Sequence, residues 1–137
     1  MVLSSHSRKR PPRRGTTAVE FAVVAPIFFL VVFAIVEFGR MMMVEEILVN
    51  AARLGARAAI LPSETDSQVA TVVSNYLAGV GISGYTTSLM PTLASGPASG
   101  TALTVTISVP WTSVSWFSYS TWLQGATLAG SAAMIKE

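Results

Sequence analysis

The sequence contains no cysteine, one histidine and one aspartate among its 137 residues. The absence of cysteine excludes disulfide bonds, thiolate metal sites and cysteine nucleophiles. His6 lies in a segment that we expect to be removed, and Asp66 lies at a predicted helix start, where an acid favours the helix dipole. The adjacent Glu45 and Glu46 do not share a helix face, as a catalytic carboxylate pair would. The glycine-containing segment 94–100 has no lysine and no following helix, so it is not a phosphate loop. We therefore expect no enzyme, no metal site and no cofactor.

Charge is scarce and unevenly placed. Charged residues make up 12% of the chain and hydrophobic residues 51%. Five of the nine basic residues lie within seven positions, at Arg8, Lys9, Arg10, Arg13 and Arg14. Without residues 1–15, four basic residues would face seven acidic ones, which changes the net charge from +2 to −3. The basic character belongs to the N-terminal segment, and we expect no nucleic-acid binding by the rest of the chain.

An apolar stretch follows this basic segment. Residues 21–36 carry no charge, and Glu20 is the single charged residue within 16–36. A helix over 16–36 would be about 31 Å long, enough to cross a bilayer core of about 30 Å. Pro26 lies inside it, and membrane helices tolerate proline. It either causes a gentle kink or marks a weak point where the helix melts on packing into an assembly. We predict a transmembrane helix at 16–37, with the basic N-terminus in the cytoplasm and the C-terminal domain outside.

The junction between the two segments reads Arg13-Arg14-Gly15-Thr16-Thr17-Ala18-Val19-Glu20-Phe21. A carboxylate within a membrane segment costs about 2.5–3.5 kcal/mol. Cleavage after Gly15 would place the new amino group of Thr16 one helical turn from Glu20. A basic leader, a glycine, four residues, Glu-Phe and a hydrophobic helix together resemble the prepilin-peptidase site of type IV pilin-like proteins. With the later Glu37-Phe38-Gly39-Arg40, the chain most resembles the TadE-like family, minor pseudopilins of the tight-adherence (Flp) pilus system.

This resemblance implies a role in assembling an Flp-type pilus, with processing by a prepilin peptidase after Gly15. The implied partners are that peptidase, other pseudopilins or Flp pilin subunits, the inner-membrane assembly platform and the lipid bilayer. Arg13 and Arg14 would supply leader charge within a cytoplasmic leader at 1–15. The implied location is the bacterial inner membrane, crossed once, with an extracytoplasmic domain at 38–137. Since major Flp pilins have little beyond the helix, this domain favours a minor subunit, and whether it enters the filament is left open.

Other N-terminal signals fit less well. A Sec signal peptide would need a small-x-small cleavage site soon after the apolar run, and Glu-Phe-Gly-Arg-Met-Met-Met at 37–43 offers none. The Arg13-Arg14 pair suggests a twin-arginine signal, yet the same site is missing. The alternative that stays open is an uncleaved single-span membrane protein whose extracytoplasmic domain binds a ligand or partner.

The helical pattern continues beyond the membrane segment. Residues 37–61 contain no proline, and Pro62 marks the end of one helix predicted at 16–61. Ala51, Gly55 and Ala59 form a row of small residues that lets another backbone approach closely, either from the same domain or from a neighbouring subunit. They belong to a longer predicted apolar stripe: Met41, Val44, Leu48, Ala51, Gly55, Ala58 and Ala59.

The remaining elements are shorter. Thr65 and Gln68 fit a capping box that begins an amphipathic helix, which Gly79 would close as its C′ glycine. Residues 85–89 and 102–109 alternate between apolar and polar side chains, which predicts strands, and the small residues of 127–135 suit a third strand packed on the long helix. The predicted fold class is α+β: a long N-terminal, partly transmembrane helix packed on a short second helix and a small antiparallel β-sheet, a pilin-like layout.

An aromatic group lies between the last two predicted strands. Two interpretations stay open. The group forms part of the core of a small domain, or it is an exposed patch that contacts a partner or the membrane. Its members are Trp111, Trp116, Phe117, Tyr119 and Trp122.

Overall fold

The computed structural model describes residues 14–116 and 125–136. The helices are α1 (Arg14–Ala59), α2 (Asp66–Gly79) and α3 (Trp111–Val114), and a 3-10 turn lies at Leu93–Ser95. The strands β1 (Thr86–Met90), β2 (Ala102–Pro110) and β3 (Thr127–Ile135) form an antiparallel sheet in the order β1-β2-β3. The chain divides into two compact units, one up to Val36 and the other from Glu37.

Helix α1 confirms the long helix expected from the sequence, with its bounds shifted by two residues at each end. It ends at Ala59, and the amide of Leu61 donates to the carbonyl of Ala58 at 3.1 Å in a last turn before Pro62. Proline lacks the amide hydrogen that another helical turn would need. The described part of the first unit, residues 14–36, is helical, and its large apolar side chains are exposed. Its most apolar stretch is long enough to cross a membrane.

The second unit contains the hydrophobic core. The alternation predicted for β2 is confirmed, because Leu103, Val105, Ile107 and Val109 are all fully buried. This face of the sheet packs with the C-terminal half of α1 and with the buried face of α2, so the fold is α+β, as predicted. The polar residues Glu46, Asn50, Arg53 and Arg57 of α1 are exposed. The core residues of α1 and α2 are Val44, Leu48, Ala51, Ala52, Ala56, Ala58, Ala59, Val69, Val73 and Leu77.

The two ends of α2 differ in how well the sequence predicted them. At the start, the capping box is present: the Thr65 amide donates to Gln68 Oε1 at 2.8 Å, and Thr65 Oγ1 accepts from the Gln68 amide. At the other end, the prediction of Gly79 as the C′ glycine was wrong. Gly79 is helical, and Gly81 takes the left-handed conformation with φ of 74°. The amides of Gly81 and Ile82 then donate to the carbonyls of Ala78 and Leu77, the two bonds of a Schellman motif.

Strand β3 packs closely on α1, as its small residues predicted. Gly130 pairs with Ile107 in the register of the sheet. A Cβ atom built on Gly130 would lie 2.4 Å from the carbonyl carbon of Leu48 and 2.4 Å from the amide nitrogen of Val49. Only glycine fits at this position, because the neighbouring atoms belong to the helix backbone.

Candidate functional site

The residues of the predicted cleavage motif lie in the first turns of α1. Helix α1 begins at Arg14. Among the described residues, no atom beyond the chain neighbours and the helix's own backbone lies within 4 Å of a Cβ built on Gly15. Thr16, Glu20 and Phe21 are exposed. Since Thr16 and Glu20 belong to one helix and are four residues apart, they lie on the same face. Arg13 lies outside the described residues, and cleavage after Gly15 stays a prediction.

The small residues further along α1 lie in the interior of the second unit. Ala51 and Ala59 are fully buried. A Cβ on Gly55 would lie 2.9 Å from Val73 Cγ2 of α2 and 3.2 Å from Val105 Cγ1 of β2. These contacts favour the interpretation in which the row seats the helix on its own domain. Pro26, the other predicted packing residue, lies inside α1 in the first unit.

A cluster that the sequence analysis missed joins the start of the second unit's helix to the segment after β2. We call it the Arg40 cluster: Glu37 and Arg40 of α1 with Val114, Ser115 and Trp116. Ser115 Oγ donates a hydrogen bond to Glu37 Oε1, and Arg40 Nε donates one to the carbonyl oxygen of Val114. The Arg40 guanidinium carbon lies 4.6 Å from the ring centroid of Trp116, within the range of a cation–π interaction.

The geometry of this cluster follows from helix periodicity. Glu37 and Arg40 are three residues apart, so their side chains lie on one face of α1 and reach the same short segment. The sequence did contain one signal for this cluster: Glu37 and Arg40 lie at i and i+3 directly after an apolar run. Charged side chains at the end of such a run need polar partners. What the sequence did not contain was the identity of those partners, which lie more than 70 positions away.

Burial divides the predicted aromatic group. Trp111 is 3% exposed and belongs to the core, whereas Trp116 is 67% exposed. Phe117, Tyr119 and Trp122 lie outside the described residues. Among the described residues, the buried Trp111 Nε1 and Glu37 Oε2 atoms have no hydrogen-bond partner. Trp111 therefore forms part of the core, Trp116 is exposed, and contact of the group with a partner or the membrane stays a prediction.

A concave region lies at the start of α2. It is a cavity of about 310 Å³ lined by Glu64, Thr65, Asp66, Ser67, Leu93 and Ala94. Asp66 Oδ1 accepts a hydrogen bond from the Leu93 amide at 2.7 Å, so this carboxylate fastens the 3-10 turn to α2. Within 14–116 and 125–136, no three or more His, Cys, Asp or Glu side chains are grouped so that they could hold a metal ion. The hydrogen bond to Leu93 therefore gives Asp66, one of the residues that line this cavity, a structural role.

Comparison with known proteins gives one family. Residues 15–57 match the family model described as TadE-like protein. No curated protein and no solved structure matches the chain. The matched range begins at Gly15, covers nearly all of α1 and includes Glu37 and Arg40 of the Arg40 cluster. The chain therefore carries a TadE-like domain over residues 15–57.

Proposed function

We propose that the protein is a TadE-like minor pseudopilin that takes part in assembling Flp/Tad-type pili, in an adhesion or secretion apparatus. The observation that carries this proposal is the TadE-like match, which starts at Gly15, the residue predicted to precede the cleaved bond. The second unit, with its own core beyond the membrane helix, supports a minor subunit. The family is generally non-enzymatic, and we propose no catalytic role and no cofactor.

The proposed topology has a cytoplasmic leader at 1–15, a membrane helix at 16–37 and an extracytoplasmic domain at 38–137. Two observations support it. The most apolar stretch of α1 is unburied, as a lipid-facing helix would be. Five basic residues precede this stretch, which favours a cytoplasmic N-terminus in a bacterial inner membrane. The proposed partners are the prepilin peptidase, other pseudopilins or Flp pilin subunits, the inner-membrane assembly platform and the bilayer.

Glu20 has a specific role in this proposal. Cleavage after Gly15 frees an ammonium group at Thr16, one turn from the Glu20 carboxylate on the same face of α1. Opposite charges 4 Å apart attract by about 4 kcal/mol at an effective dielectric constant of 20, before desolvation is subtracted. A pair formed within one subunit or between neighbours offsets much of the insertion cost of Glu20 and favours one axial stagger of packed helices.

Intact-mass measurement of the membrane-extracted protein tests the processing step. We expect wild type, expressed with an active prepilin peptidase, to begin at Thr16, and Gly15→Ala to retain its leader. Gly39→Ala is the matched control, because Gly39 lies in the same helix and also has nothing within 4 Å of a built Cβ. Wild-type protein that still begins at Met1 beside active peptidase would contradict the proposal.

Deletion of the gene separates the proposed function from the alternative of an uncleaved single-span binding protein. If the protein is a pilus component, its loss is expected to reduce piliation or secretion by the apparatus. The alternative predicts no pilus phenotype, and it predicts that Gly15→Ala behaves like wild type.

A further inference from the structure

Large exposed apolar side chains lie at the same level of α1 as the Arg40 cluster. Phe38, Met42 and Met43 lie within one turn of Arg40 on α1 and are 58%, 53% and 62% exposed. Trp116, which stacks on the Arg40 guanidinium, is exposed to a similar degree. Met43 lies on the same side of α1 as Arg40 and Trp116, whereas Phe38 and Met42 lie on the opposite side, so the four large apolar side chains form a band at one level of the helix that water alone does not suit.

The position of this surface along the chain indicates what covers it. The uncharged run ends at Val36, and Arg40 follows four residues later in the same helix. At 1.5 Å per residue, Arg40 lies about 6 Å beyond Val36. The headgroup layer of a bilayer is about 5–8 Å thick on each side of the hydrocarbon core. A helix that spans the core with residues 16–36 therefore places Arg40 within the headgroup layer.

The chemistry of the surface matches that layer. Tryptophan is enriched at membrane–water interfaces, because its ring is apolar and its indole N–H is polar. Arginine binds phosphate groups, and near the end of a membrane helix its long side chain reaches towards them. The hydrogen bond from Arg40 to the Val114 carbonyl ties the segment that carries Trp116 to the helix at this depth.

We propose that the Arg40 cluster, with Phe38, Met42 and Met43, is a membrane-docking surface of the second unit. Trp116 inserts among the phospholipid headgroups and upper acyl chains, and the Arg40 guanidinium faces their phosphates. The inference needs α1 to span a bilayer, but it depends neither on the pilus role nor on which side of the membrane the domain occupies.

Site-directed spin labelling tests the docking directly, because the chain has no cysteine that would compete for the label. We would label Trp116→Cys and the control Ser131→Cys, an exposed position of β3, in full-length protein reconstituted into phosphatidylethanolamine/phosphatidylglycerol vesicles. Collision with oxygen, relative to a water-soluble nickel complex, is expected to be several-fold more frequent at position 116 than at position 131. Equal ratios at the two positions would overturn the proposal. Protection of position 116 from both reagents would also overturn it, since a protein partner or a second copy would then cover the surface.

A second measurement keeps the native tryptophan and so does not depend on the folding of the cysteine variant. Wild type and Trp116→Phe are reconstituted into the same vesicles containing lipids brominated near the headgroup. Bromine quenches nearby indole fluorescence, so we expect wild type to lose a larger fraction of its emission than Trp116→Phe. Identical fractional quenching of the two proteins would show that Trp116 lies no closer to the lipid than the other tryptophans and would overturn the proposal.

Discussion

Gly130 is where we expect the smallest side-chain change to cost the most stability. In the substitution Gly130→Ala, the new Cβ would lie 2.4 Å from both the Leu48 carbonyl carbon and the Val49 amide nitrogen, and 2.8 Å from Leu48 Cβ. Non-bonded carbon atoms are most favourable at about 3.5–4.0 Å. Strand β3 or helix α1 would therefore have to move by more than about 1 Å.

The cost can be bounded from the atoms involved. Two of the three neighbours are main-chain atoms in the interior of a helix, so no side-chain rotation relieves the overlap. Overpacking of this kind costs about 1–3 kcal/mol, occasionally more. Replacing glycine by alanine recovers only about 0.4–1 kcal/mol through the unfolded chain. Because main-chain atoms are met at 2.4 Å, we take the upper end of the overpacking range and expect a net loss of about 2 kcal/mol, a large share of the roughly 5–15 kcal/mol that stabilises a typical domain.

Urea unfolding of the full-length protein in mild detergent measures this loss. All three tryptophans follow α1 in the sequence, so their fluorescence reports on the second unit and not on the first. With an m-value of about 1–3 kcal/mol per molar urea, the Gly130→Ala midpoint should fall by about 0.7–2 M. Gly79→Ala is the control, because Gly79 is helical with open space around it, and its midpoint should stay level or rise. An unchanged midpoint for Gly130→Ala would refute the packing argument.

Two further predictions are measured by the same urea unfolding, and a third concerns the role of Glu20. Gly55→Ala should lower the urea midpoint less than Gly130→Ala does, because two valine methyl groups can yield and helix propensity improves by about 1 kcal/mol. Thr65→Ala should cost about 1 kcal/mol through loss of the capping box, whereas Thr71→Ala on the exposed face of α2 should cost less; equal shifts would argue against the cap. Glu20→Leu and Glu20→Gln should leave leader cleavage and membrane insertion intact but reduce co-purification with other pilus subunits. Undiminished recovery of both variants would show that the carboxylate has no part in subunit registry.

Local patterns predicted most of the elements. Pro62 placed the end of α1 within three residues, and alternation placed β2 within one residue of its observed end. The Thr65 capping box was readable because both of its partners lie within one turn. The C′ glycine of α2 was misassigned, since Gly79 and Gly81 are equally able to take a left-handed conformation. With Gly81 in this conformation, α2 continues to Gly79 and the Ile82 amide donates a hydrogen bond to the Leu77 carbonyl.

The sequence by itself determined the apolar helix, the cap of α2 and the alternating strands, and it supplied the glycine and glutamate of the predicted cleavage motif. Each of these depends on residues within about one or two helical turns of one another, so their spacing carries the information. The tertiary structure decided which small residue meets the helix backbone, which tryptophan is buried, and which segment binds Glu37 and Arg40. Gly130 and Leu48, or Arg40 and Val114, are brought together only when the sheet folds onto α1, and their sequence separation leaves no periodic signal.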